Sequence, residues 1–143
     1  ALYREDETFS LGKGKLLADG GDVTIIAMGA IMVPEALKAK EALAEEGISA
    51  AVIDMHTVKP LDEELVLSYA KKTGAIVTAE NHQTAGGLGS AVATYLATVH
   101  PTRMAMVGIH DEFGQVGTQN WLQQHYRLTS DEITAQAKGL LSK

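Results

Sequence analysis

Three places in the chain set a carboxylate beside an imidazole: Asp54 with His56, Glu80 with His82, and His110 with Asp111. A histidine next to an acid can be held in one tautomer and tuned toward neutral pH, which is what proton transfer needs. His56, His82 and Glu80 are therefore the candidate acid–base residues. The second constellation is the loop Asn81-His-Gln-Thr-Ala-Gly-Gly-Leu-Gly-Ser90. Glycines let a ligand or another backbone come close, and a helix starting there would turn unpaired amides toward an anion. Gly86, Gly87, Gly89 and Ser90 are the candidate anion-binding residues. Gly87-Leu-Gly89 also opens a dinucleotide fingerprint, with Asp111 downstream where a ribose-binding acid would stand. Val92 replaces its third glycine, and the loop is longer than the tight turn it requires. Close helix packing explains the same glycines.

The chain has no phosphate loop, no zinc-binding helix motif and no nucleophile elbow. Its five histidines, at 56, 82, 100, 110 and 125, lack metal-ligand spacing, so no metal site is expected. Trp121, the sole tryptophan, is expected to anchor a core or an interface.

The elements that must position these residues follow from the apolar pattern. Four nearly continuous apolar runs, 23–28, 49–54, 75–80 and 104–109, read as strands covered on both faces, the mark of a parallel sheet between helices. Between them lie segments of helical period. The first, 34–46, starts at Pro34 and stops at Gly47, with Val33, Leu37, Leu43 and Ala44 inward and Glu35, Lys38, Glu41 and Glu45 outward. The second is opened by Pro60 and Asp62 and stopped by Gly74, burying Leu61, Leu65 and Tyr69. The third repeats Leu88, Ala91, Val92, Tyr95, Leu96 and Val99 at spacings of three and four before Pro101. A last helix spans 130–141 with Ser130 as its cap. Residues 15–18 read as a short strand before the Gly20-Gly21 turn. The expected fold is a three-layer α/β/α sandwich with a mostly parallel sheet.

At 143 residues the chain has the size of one domain, and 45% hydrophobic residues suffice for a packed core. A net charge of −6 opposes nucleic acid, and the absence of cysteine excludes disulfides and thiolate sites. No apolar run approaches the roughly 20 residues that span a bilayer. A cytoplasmic protein with neither nucleic acid nor membrane as partner is the expectation. The missing initial Met adds the expectation that these residues belong to a longer chain.

Taken in order, Asp22-Val-Thr-Ile-Ile-Ala-Met-Gly29, Asp54-Met-His-Thr-Val-Lys-Pro-Leu-Asp62, Ala79-Glu-Asn-His82 with Gly86-Gly-Leu-Gly-Ser-Ala91, and Gly108-Ile-His-Asp-Glu-Phe-Gly114 with Gly117 resemble the carboxyl-terminal domain of the transketolase family. That family of thiamine-diphosphate enzymes includes transketolase, deoxyxylulose-phosphate synthase and the beta subunit of ketoacid dehydrogenases. The likeness runs from about Phe9 to Leu141 and looks closest to split transketolases, while Gly117-Thr-Gln119 looks more like the synthase branch. It implies a five-stranded sheet with one antiparallel strand, residues 15–18. It also implies an assembly or dimerisation domain of an enzyme that transfers two-carbon ketol units between sugar phosphates. Thiamine diphosphate and a divalent metal would then lie outside this segment, held by the remaining domains or another subunit. The segment alone would be inactive, and the full enzyme a homodimer. An apolar patch, exposed here and covered in the assembly, is the corollary. Two rival readings remain: an independent anion- or nucleotide-binding module using the Gly86–Ser90 loop, and a free-standing acid–base enzyme using His56 and His82.

Overall fold

The computed structural model of the chain describes residues 2–142, which form five strands and five helices. The strands are β1 (Lys15–Ala18), β2 (Val23–Ala27), β3 (Ala50–Asp54), β4 (Ala75–Gln83) and β5 (Arg103–Ile109). They make one sheet in the order β1-β3-β2-β4-β5. Only β1 runs antiparallel to its neighbour β3, with an irregularity between Leu16 and Ala18; the other pairs are parallel. The expected mixed sheet, including the odd strand at residues 15–18, is therefore what forms.

Alternation along each strand splits the core in two. Val23, Ile25 and Ala27 of β2 pack under helices α1 (Gly29–Glu45) and α5 (Ser130–Leu141), meeting Met32, Val33, Leu43, Ile133 and Ala137. Ile26 turns to the other face, under α2 (Glu63–Thr73) and α3 (Leu88–Val99), where Val66, Tyr69, Leu88, Val92 and Leu96 close the second core. Both faces are thus apolar, which is why the strands read as continuous runs and not as alternating ones. Each fully buried aliphatic side chain in these layers contributes roughly 1.5–3 kcal/mol.

The helix ends follow the local chemistry with three exceptions. Asp62 accepts from the Leu65 amide at 3.2 Å and opens α2, while Gly74, with φ 65°, closes it. Val66, Tyr69 and Ala70 form its buried face; Leu61 and Leu65 are half-buried. The first exception is α1, which starts at Gly29, so that Pro34 lies inside it and not in its first turn. The Met28 amide donates to the Ala79 carbonyl at 3.1 Å, holding the chain on the sheet until Met28; Gly29 then turns straight into helix. Glu35, expected to face outward, is buried: it accepts from the Ser130 amide at 2.7 Å and from Lys38 at 2.6 Å, tying α1 to the start of α5. Ala44, expected inside, is exposed. The second exception is α5, whose cap is Thr129, accepting from the Glu132 amide at 3.3 Å, and not Ser130. The third is a helix the pattern did not announce, α4 (Gln119–His125), which buries none of its residues fully. No helix of the described residues is long and apolar enough to cross a membrane.

Candidate functional site

Parallel strands end together, so β2, β3, β4 and β5 deliver Met28, Asp54, the residues from Glu80 onward and His110 to one rim of the sheet. In open α/β sheets this is where ligands bind. The acid–imidazole pairs lie along it, but adjacency in sequence does not make them partners.

Glu80 is completely buried, and its two oxygens accept from the amides of Leu88 at 2.9 Å and Gly89 at 2.7 Å. The N-cap position of α3, Gly87, has no side chain to satisfy these first-turn donors. A carboxylate reaching back from β4 does so instead, aligned with the positive end of the helix dipole. The glycines make this possible: a Cβ on Gly87 would stand 2.8 Å from Glu80 Cδ and 2.7 Å from the Gln83 carbonyl oxygen, and one on Gly89 2.8 Å from Thr78 Oγ1. Ser90 Oγ accepts from the Gly86 amide at 3.0 Å and donates to the Thr84 carbonyl at 2.6 Å. The loop expected to cradle an external anion thus encloses one supplied by the chain itself. His82 Nδ1 is 3.8 Å from Glu80 Oε1 but donates to the Gln83 carbonyl at 2.8 Å, with most of its ring in solvent.

The other pairs come apart. Asp54, nearly buried, accepts from the hydroxyl of Tyr3, whose titration is pushed far up by burial and by that bond. His56 donates through Nε2 to the Ser10 carbonyl at 3.1 Å and packs edge-on against Phe9, its ring centroid 5.1 Å away. Residues 2–13 therefore lie across the ends of β2 and β3 as a strap. Asp111, with φ 51°, donates its amide to the Gln83 side chain at 2.9 Å, and no hydrogen bond joins its carboxylate to His110.

An open groove of about 990 Å³ between α2 and α3 takes in Gly86, Gly87 and Ser90 on one wall and Lys13, Lys59, Asp62, Glu63 and Glu64 on the other. A diphosphate with its divalent metal needs free amides, cations and converging oxygen ligands. Here the Leu88 and Gly89 amides are occupied, the facing wall mixes Lys59 and Lys13 with three acids, Lys13 being paired with Glu64 at 3.1 Å and Asp62 at 3.8 Å, and among the described residues no three His, Asp or Glu side chains converge to hold a metal. The lining of this groove does not fit thiamine diphosphate with its metal.

Sequence reasoning named Glu80 as an acid–base candidate and not as a cap, and read Glu35 as facing outward. The cap from Glu80 was signalled by an acid eight residues before a helix whose cap position is glycine. Glu35 left no local signal, because its partner is 95 residues away.

Residues 12–133 match the family model described as transketolase, C-terminal domain. Among curated relatives, a 6-deoxy-6-sulfo-D-fructose transketolase subunit of Clostridium sp. (strain MSTE9) is 53% identical over 93% of this chain and 41% of its own. A putative transketolase C-terminal section of Methanocaldococcus jannaschii is 45% identical over 90% of this chain and 40% of its own. The 1-deoxy-D-xylulose-5-phosphate synthase of Heliobacterium modesticaldum is 44% identical over 97% of this chain and 22% of its own. The chain thus spans about two fifths of the first two relatives and about a fifth of the synthase. Among solved structures, a split-gene transketolase in the form of an inactive beta4 tetramer superposes with a TM-score of 0.95 at 43% identity, over 99% of this chain and 46% of its own. Sheet order, odd strand, rim motifs and these matches agree: the chain belongs to the transketolase C-terminal domain family.

Proposed function

We propose that this chain is the carboxyl-terminal assembly domain, one folded unit over residues 1–143 of a longer polypeptide, of a thiamine-diphosphate-dependent transketolase-type enzyme. That enzyme transfers two-carbon ketol units between sugar phosphates in the cytoplasm, as a homodimer. The observation that carries this reading is the use made of Glu80: the acid and the amides best placed for chemistry are spent on each other. Thiamine diphosphate and its metal are then bound by the rest of the enzyme, and this segment alone is inactive. A solved relative that is inactive as a tetramer of beta chains supports a chain that assembles yet needs further polypeptide for chemistry.

Titration calorimetry of the chain with thiamine diphosphate and magnesium tests this reading. No heat of binding is expected, whereas a micromolar dissociation constant, or turnover of a ketose phosphate by the chain alone, overturns it.

A further inference from the structure

Eight large hydrophobic residues among those described are exposed, and six of them gather at the carboxyl rim of the sheet: Leu2, Phe9 and Leu11 on the strap, and Phe113, Val116 and Trp121 after β5. The second trio is the more exposed, with Phe113 at 95% and Val116 at 100%. Isolated apolar residues on a surface need no explanation; three within nine residues of one segment do.

The loop that carries them is fixed. Tyr126 donates its hydroxyl to the Phe113 carbonyl at 3.0 Å and accepts from the Gln115 amide at 2.8 Å. Gln83 clamps the preceding turn, donating to the Glu112 carbonyl at 3.2 Å and accepting from the Asp111 amide at 2.9 Å. Trp121 stacks on His125 with ring centroids 4.8 Å apart, and a Cβ on Gly117 would come within 2.6 Å of its ring. Water does not reward holding Phe and Val rigidly in solvent. A partner does, because a loop whose backbone is already held loses little backbone freedom on docking.

Charge decides what kind of partner. Residues 110–118 contain Asp111 and Glu112 and no Lys or Arg. Arg127, after α4, lies 3.9 Å from Glu132. A second copy meeting this patch about a twofold axis would set acids against acids on a chain of net charge −6. We infer that Phe113, Val116 and Trp121 form a preorganised plug for an apolar pocket with a cationic rim on another section of the enzyme. This inference rests on the assembly reading above and adds to it the surface and the chemistry of the partner.

The test uses the chain labelled with 5-fluorotryptophan, which gives one fluorine resonance because Trp121 is the sole tryptophan. It is titrated with the separately purified thiamine-diphosphate-binding section of the same enzyme. Expected are a shifted, broadened resonance on binding and a dissociation constant raised at least tenfold in the double variant Phe113→Ser, Val116→Ser. Both positions are solvent-exposed, so the variant's thermal unfolding should match the parent's. Binding should also weaken in Asp111→Lys, Glu112→Lys. Equal affinity of parent and double variant, with an unmoved resonance, overturns this inference and leaves the assembly reading standing. No complex at all overturns both. Dimerisation of the chain alone that the double variant abolishes assigns the patch to a second copy and overturns the inference.

Discussion

Replacing Glu80 with alanine removes the acceptor of two amides at the start of α3, in a place that water does not reach. A hydrogen bond to a charged acceptor is worth about 1.5–3 kcal/mol, and a buried donor left without a partner costs a similar amount. Losing the two bonds together, with some relaxation of the first turn, should cost about 4 kcal/mol. That is a large part of the 5–15 kcal/mol by which domains are stable. Glu80→Gln keeps the volume and one acceptor but turns an amide NH2 toward the second backbone N–H, so about half that loss is expected. With a urea m-value of about 2 kcal/mol per molar, the unfolding midpoint should fall by about 2 M in the alanine variant and about 1 M in the glutamine variant. Native-state hydrogen exchange supplies the local readout: the Leu88 and Gly89 amides should exchange only on global unfolding in the parent and far faster in both variants. If those two amides stay slow in Glu80→Ala, or its midpoint falls by less than about 0.5 M, the capping role assigned to Glu80 is wrong.

Gly87→Ala places a methyl group 2.7 Å from the Gln83 carbonyl oxygen and against the Glu80 carboxyl; a cost of about 2–3 kcal/mol should lower the thermal midpoint by about 4–10 °C, and an unchanged midpoint would contradict the geometry. At Glu35, burial works against the charge, yet Lys38 and the Ser130 amide hold its carboxyl below the usual range. Glu35→Ala should cost about 2 kcal/mol in denaturant titration and speed exchange in the first turn of α5, and unaltered exchange there would refute the tie. Asp19 is held at about 2, from an ordinary 3.8, by hydrogen bonds from Lys72, Tyr69 and the Gly20 amide. Because the folded value is the lower one, its contribution is complete above about pH 4 and is lost as the pH falls toward 2. Asp19→Asn should flatten the stability profile in that window, and a profile identical to the parent's would remove Asp19 from the account.

The layers were legible because both faces of the sheet are apolar, and continuous runs such as 23–28 can bury themselves only between helices. Asp62 and Gly74 were legible because caps are local chemistry. Helix α4 was not: with three glutamines and no fully buried residue it has no apolar stripe to detect, and Trp121, expected to anchor a core or an interface, is 48% exposed and so lies outside the core. Glu35 was misread for the opposite reason, since its period points outward while a distant amide draws it in. At the rim, spacing brought Glu80 and His82 within 3.8 Å, but it said nothing of Tyr3 reaching Asp54 or of backbone amides taking Glu80. Proximity along an extended chain shows which groups are near. Which of them bond is set by folding over tens of residues.

The irregularity between Leu16 and Ala18 bears on how the sheet resists the addition of foreign strands. A lateral margin of a sheet is a template on which foreign strands can add, and β3 would offer five residues of straight, apolar backbone. The four-residue β1 seals that margin, and its break in register denies an incoming strand a flat ledge of matching donors and acceptors. Straightening it by deleting Leu17 should promote fibril growth seeded at this flank.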